Sequence, residues 1–147
     1  MKLFITGATG LVGRHLMKTL ASTDFIPVCL VRRNTDVREL LRAGADIVWG
    51  DVSDRGTLYR AMKGCEWVFH LSGISSFWEE DTRIYEQTNI EGTRNVMECA
   101  LDTGASKAVL LSSMTVYGKP HKRTFHEEDT IGPKRFSRYA LSRYEGD

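Results

Sequence analysis

The sequence has few cysteines, no long apolar stretch and almost no net charge, and each shortage removes a class of protein. Its three cysteines, Cys29, Cys65 and Cys99, are odd in number and far apart. They fit neither a disulfide framework nor a zinc-ligand spacing, so they read as buried, reduced thiols. No apolar run exceeds a handful of residues, far short of the roughly 20 needed to span a membrane. The opening "MKLFITGATG" turns to threonine and glycine after three apolar residues. That is too early for the apolar core of a signal peptide. A formal net charge of +1 gives no field to draw nucleic acid or an anionic membrane. There is no internal repeat and no low-complexity tract. The expectation is a soluble, cytoplasmic protein with no membrane or nucleic-acid partner. At 147 residues, 41% hydrophobic and 27% charged, the chain is long enough for one domain with a sizeable core.

What is present is an alternation. Apolar runs of β type ("LFI", "VCLV", "WVFHL", "AVLLS") predict strands over residues 2–6, 25–31, 46–50, 66–71 and 107–112. Near-continuous apolar runs suit strands covered on both faces, as in a parallel sheet. Helical spacing joins Leu11, Val12, Leu16 and Leu20, then Val37, Leu40 and Leu41, then Leu58, Ala61 and Met62. The longest helix is expected over 82–101, with Ile84, Ile90, Val96 and Met97 among its apolar positions. Ser53 reads as the N-cap of the third helix, and Gly104 as the stop of the fourth. The pattern predicts a doubly wound α/β sheet with right-handed crossovers. Residues 113–136 lack periodicity and read as a long polar loop over the carboxyl edge of the sheet.

The segment "TGATGLVG" follows the first strand and opens the first helix. Gly7, Gly10 and Gly13 are spaced G-x-x-G-x-x-G. The first glycine permits a tight turn, the second lets backbone amides approach a pyrophosphate, and the third lets the helix pack closely on the sheet. The free amides and dipole of the helix N-terminus then face the anion. Dinucleotide sites usually place a carboxylate at the end of the second strand, about 20 residues on, to hold the adenosine ribose. Here that strand ends "LVRRN", with Arg32 and Arg33 in the place, and the first carboxylate is Asp36, inside the next helix. Cations there match a 2′-phosphate, so the reading favours NADP over NAD.

At this point a resemblance becomes specific, and it covers essentially the whole chain. The sequence resembles the N-terminal Rossmann part of an extended short-chain dehydrogenase/reductase, the group of NAD(P)-dependent sugar epimerases, dehydratases and dihydroflavonol-type reductases. "TGATGLVG" is similar to the group's glycine motif, which brings Thr9, Leu11 and Val12 into the cofactor site with the glycines. "GDVSD" resembles its third-strand signature, in which Asp51 and Val52 would contact the adenine. "VFHLSG" resembles the fourth-strand motif, where Leu71, Ser72 and Gly73 would line the cofactor. "TNIEGTRNV" resembles the long-helix motif, with Asn89 its polar residue at the cofactor. "LSSMTVYG" resembles the segment bearing the catalytic serine, and counting back four positions from Tyr117 makes that serine Ser113. Ser113 also ends a strand at the sheet's carboxyl edge, where open α/β sheets place their ligands.

The closing "YALSR" resembles the group's Tyr-x-x-x-Lys motif. The resemblance implies that Tyr139 exchanges a proton with the substrate oxygen, that Ser113 positions the substrate, and that hydride passes between substrate and nicotinamide. In the group the lysine lowers the tyrosine's pKa and holds the nicotinamide ribose. Arg143 stands in its place, one helical turn from Tyr139. Arginine keeps the charge but presents a planar fork instead of a compact ammonium, and it does not give up its proton. The group's sheet has further strands and a substrate-binding lobe, which do not fit in the four residues after Arg143. The chain, residues 1–147, therefore reads as an NAD(P)-binding domain incomplete at its C-terminus, and as part of a longer protein.

Three functions compete. The first is an NADP-linked oxidoreductase or epimerase/dehydratase acting on a sugar nucleotide or a small carbonyl or hydroxy compound. The second is a catalytically silent NAD(P)-binding module, favoured by Arg143. The third is a protein- or RNA-binding scaffold without cofactor, disfavoured by the intact glycine turn. "ISSFWEED", residues 74–81, borders the reacting end of the pocket, where Phe77 and Trp78 either stack on substrate or pack in the core. The resemblance also implies a homodimer through the helix at 82–101.

Overall fold

The five expected strands form, and all run parallel. In the computed structural model, which describes residues 1–118, 124–129, 131 and 137–147, they are β1 (Lys2–Thr6), β2 (Ile26–Val31), β3 (Asp46–Trp49), β4 (Cys65–His70) and β5 (Lys107–Leu110). Their order is β3-β2-β1-β4-β5. The helices are α1 (Leu11–Leu20), α2 (Arg38–Arg42), α3 (Arg55–Met62), α4 (Arg83–Tyr85), α5 (Thr93–Asp102) and α6 (Arg138–Gly146). The result is a doubly wound sheet, and its winding reverses between the adjacent strands β1 and β4.

Alternation along β1 divides the core. Leu3 and Ile5 point to one face, among Met17, Leu20 and Leu40 of α1 and α2. Phe4 points to the other, among Leu58 and Met62 of α3 and Val96 and Cys99 of α5. Phe4 and Ile5 are wholly buried; each such side chain contributes about 1.5–3 kcal/mol through removal from water. The three thiols are buried and unbridged. Burial pushes Cys29 up to about 12, with Asp46 adding to the effect.

Three expectations change. The N-cap of α3 is Asp54, whose carboxylate accepts the Thr57 amide at 3.0 Å; Ser53 instead donates its amide and hydroxyl to Asp51. Asp36 precedes α2 rather than lying in it. The helix expected over 82–101 is three pieces, because the segment Glu86–Gly92 between α4 and α5 is a π-helix. Gly104 stops α5 as expected, with φ +76° and the Ala105 amide turned back to the Ala100 carbonyl. Within 113–136, Met114–Tyr117 form a 3₁₀ turn, and much of the remaining loop lies outside the described residues.

Candidate functional site

The carboxyl ends of β1, β2, β3 and β4 open into one cleft of about 310 Å³ at the winding reversal. This is where the topology of such sheets leaves room for a ligand. Thr6, Gly7, Thr9 and Gly10 form one wall, Leu30, Val31, Arg32 and Thr35 a second, and Gly50, Asp51 and Val52 a third. Leu71, Ser72, Gly73 and Ile74 close the side beyond β4, with Thr88 from the π segment.

The three glycines do different things. Gly7 has φ +72°, and a Cβ there would stand 2.6 Å from the Leu71 carbonyl carbon and the Ser72 nitrogen. A Cβ on Gly13 would lie 2.2 Å from the Gly7 carbonyl oxygen, so α1 rests directly on the turn. A Cβ on Gly10 would meet only the Gly7 oxygen, at 3.3 Å, and otherwise enters the cleft. Gly10 caps α1 without a side-chain bond, leaving first-turn amides for an anion. Leu11 and Val12 belong to that turn, and their side chains are exposed rather than lining the cleft.

At the end of β2 the chain reverses through Asn34, in the left-handed region at φ +67°, with the Thr35 amide donating to Arg32 at 3.2 Å. Arg32 lines the cleft; Arg33 is exposed and does not. The Asp36 carboxylate is engaged by Arg38, whose Nε and Nη2 donate at 3.0 and 2.6 Å. Those bonds hold it well below the usual carboxylate range. Among the described residues, no carboxylate reaches ion-pair distance of Arg32.

Beneath Ser72 lies a polar thread that the sequence reading missed. His70 is fully buried. Its Nδ1 is 2.6 Å from Thr6 Oγ1 and its Nε2 is 3.1 Å from Thr93 Oγ1. Thr6 Oγ1 is 2.9 Å from Ser72 Oγ and accepts the Ser72 amide at 3.3 Å. Burial, helped by the charge of Arg143, pushes the His70 pKa down to about 4, so the ring is neutral. The available signal was a histidine closing the apolar run Trp67–Phe69; its register with Thr6 appears only in the fold.

The remaining predicted residues lie beside the cleft, not on its lining. The Asn89 side chain accepts the Ile74 amide at 2.8 Å and donates to the Ile74 carbonyl and to Ser142 Oγ at 3.1 and 2.9 Å. It ties the cleft's edge to α6. Ser113 Oγ accepts from the Thr115 amide and hydroxyl at 3.3 and 3.0 Å; both bonds use lone pairs and leave its proton to donate. Tyr139 is buried on α6, with the Phe77 ring edge-on at a centroid distance of 4.9 Å. Trp78 is 89% exposed, so core packing does not explain it. Arg143 is 5% exposed. Its Nη2 donates to the Leu111 carbonyl, it pairs with Asp147 at 3.7 Å, and among the described residues its buried Nε has no partner. Its Nη1 lies 3.1 Å from where a Cβ on Gly73 would stand. Among the described residues, no cluster of His, Cys, Asp or Glu is arranged to hold a metal, and no helix is long and apolar enough to cross a membrane.

Comparisons with known proteins agree with this geometry. A provisionally named dihydroflavonol 4-reductase of Synechocystis is 32% identical over 143 residues, 96% of this chain and 41% of that protein. The crystal structure of gox2253 superposes with a TM-score of 0.86 at 31% identity, over 98% of this chain and 44% of the other. The Bordetella bronchiseptica enzyme WbmG in complex with NAD superposes with a TM-score of 0.86 at 25% identity, over 99% and 47%. The chain thus spans less than half the length of these proteins. The family profile matches residues 3–147, and on that match the chain belongs to the NAD dependent epimerase/dehydratase family.

Proposed function

We propose that these residues form the NADP-binding part of an oxidoreductase or sugar-nucleotide epimerase/dehydratase. The observation that carries the cofactor choice is at the end of β2: Arg32 lines the cleft while Asp36, the first acid after the strand in sequence, is engaged by Arg38. That leaves a cation where a 2′-phosphate would lie and, at the end of β2 among the described residues, no free carboxylate for a bare ribose hydroxyl. The cradle fits a dinucleotide, because the side chain that Gly10 lacks would enter the cleft beside uncapped helix amides. When bound, the nicotinamide supplies hydride transfer. The chain's own part is to hold and to move protons. The first turn of α1 binds the pyrophosphate, and Asp51 and Val52 take the adenine. Leu71, Ser72 and Gly73 line the cofactor. Ser113 donates to the substrate oxygen, and Tyr139 exchanges a proton with it. Arg143 keeps a positive charge behind both. Phe77 and Trp78 border the substrate end. The free, buried thiols suit a reducing, cytoplasmic setting.

A homodimer belongs to the same reading. α4, the π segment and α6 border a groove lined by Arg83, Arg138, Glu86 and Glu145. Such a set of both signs can pair with itself across a two-fold axis.

One observation favours a silent binding module instead: Arg143 directs Nη2 to the Leu111 carbonyl and leaves Nε unpaired, where the group's lysine would hold ribose. The test is cofactor titration followed by turnover with nucleotide sugars and small ketones. NADPH should bind more tightly than NADH, and Arg32→Asp should remove several-fold or more of that preference, since a charge-assisted bond contributes about 1.5–3 kcal/mol. Tyr139→Phe should cost about 10²–10⁴-fold in rate. Equal affinities before and after Arg32→Asp would sink the NADP reading. Binding with no turnover, in the native protein and in Arg143→Lys, would leave the silent module.

A further inference from the structure

The thread beneath the cleft has five groups with a hydrogen-bonding choice to make: Thr93 Oγ1, the two nitrogens of His70, Thr6 Oγ1 and Ser72 Oγ. A hydroxyl can donate or accept, and a neutral imidazole carries its proton on either nitrogen. Two orders therefore connect the groups. In the inward order, Ser72 donates to Thr6, Thr6 to Nδ1, and Nε2–H to Thr93. The proton of Thr93 is then left over. Among the described residues, His70 is the hydrogen-bond partner recorded for the Thr93 hydroxyl, and Thr93 is only 2% exposed. The inward order thus strands a donor in the core, which costs the full desolvation of that group. In the outward order, Thr93 donates to Nε2, Nδ1–H to Thr6, and Thr6 to Ser72 Oγ; this turns round the Ser72-to-Thr6 bond over the same 2.9 Å, and Ser72 Oγ, 3.4 Å from Nδ1, faces the ring as an acceptor. The proton left over is then that of Ser72, which lines the cleft.

We infer that His70 is held as its neutral Nδ1–H tautomer and acts as a positioning residue, aiming the Ser72 hydroxyl proton into the cleft as a donor to an acceptor oxygen of the dinucleotide beside Gly7. This rests on the cofactor reading above. The place fits the role, because the backbone of Gly7 touches that of Ser72 closely enough to exclude a Cβ. The donor therefore stands next to the turn that takes the pyrophosphate. The charge felt at the ring is that of Arg143, from α6; burial and that charge together keep the ring neutral. A protonated ring would donate from both nitrogens, turn Thr93 from donor to acceptor, and break the order at its first step.

The test combines nitrogen-15 NMR of the histidines with dinucleotide titration of the purified protein. His70 should show a protonated Nδ1 and a bare Nε2, unchanged from neutral pH down to about pH 5.5, near the usual histidine range. Ser72→Ala and Thr6→Val should each weaken dinucleotide binding about tenfold or more, the loss expected for a bond to a charged acceptor, with far-UV circular dichroism unchanged. A ring protonated at Nε2, or an imidazolium at neutral pH, overturns the inference. So does undiminished affinity in Ser72→Ala. If the native protein binds neither dinucleotide, the cofactor reading falls, and with it the ligand of Ser72, while the ring's tautomer is still decided by the spectrum.

Discussion

At the scale of single residues, the buried polar groups separate stability from function. His70 is neutral when folded, with burial pushing its pKa from the ordinary histidine range down to about 4. The unfolded chain therefore binds a proton that the folded chain refuses between about pH 6.5 and pH 4. Stability should rise with pH across that window and be fully present above it. The loss on acidification is on the order of 3 kcal/mol, from about 1.4 kcal/mol for each unit of difference. Urea unfolding at pH 7 and at pH 4.5 measures it, and His70→Asn, which cannot be charged, should flatten the slope. An equal slope in native protein and variant would assign the acid sensitivity elsewhere. Neither His70 nor the thread was legible in the sequence. A histidine in an apolar run announces burial, but its partners Thr6 and Thr93 lie 64 and 23 residues away. The parallel register of β1 and β4 brings Thr6 to His70, and the packing of α5 against β4 brings Thr93. Arg143 was legible as a departure from the lysine pattern, whereas its burial and its bond to Leu111 were not.

At the scale of elements, the glycine turn was the most legible part of the chain, because each of its constraints is local. Close packing of strand, turn and helix needs glycine at fixed spacing, and the structure separates the roles. Gly13→Ala would push a methyl to within 2.2 Å of the Gly7 carbonyl oxygen. Overpacking against backbone costs at least about 1–3 kcal/mol, so this variant should melt well below the native protein. The Cβ of Gly10→Val meets one oxygen at 3.3 Å, so the variant should stay folded and lose dinucleotide binding. Thermal melts paired with titration distinguish them; binding retained in folded Gly10→Val would remove the turn from the phosphate site. The π segment was illegible for the opposite reason. Its apolar spacing continues that of its neighbours, and the wider turn answers to packing: Asn89, buried within it, is bonded to Ile74 and to Ser142 on α6. The cap of α3 failed more narrowly. Ser53 and Asp54 are both good capping residues, and adjacency alone does not rank them.

At the scale of the whole molecule, the alternation of apolar runs was enough for the parallel, doubly wound sheet, since strands covered on both faces read as near-continuous apolar stretches; β5 departs from the expectation, its apolar run being mostly exposed. The strand order was not contained in that pattern, and the edges follow from the order. β3, one edge, is four residues long and carries the Lys2–Asp46 ion pair at its start. β5, the other, exposes apolar side chains: Ala108 is exposed, and Val109 and, just past the strand's end, Leu111 are each 38% accessible. An edge with unpaired backbone groups and apolar side chains is a template for further strand pairing. The 147-residue chain should therefore associate through β5, with an apparent mass that climbs with concentration in light scattering after size exclusion. Val109→Lys places a charge on that edge and should shift the mass toward the monomer while leaving dinucleotide affinity intact, because Val109 is absent from the cleft lining. A native chain that stays monomeric throughout the concentration series would show that the edge is protected. Association unchanged by Val109→Lys would move the interface to another surface, of which the groove between the π segment and α6 is the next to examine.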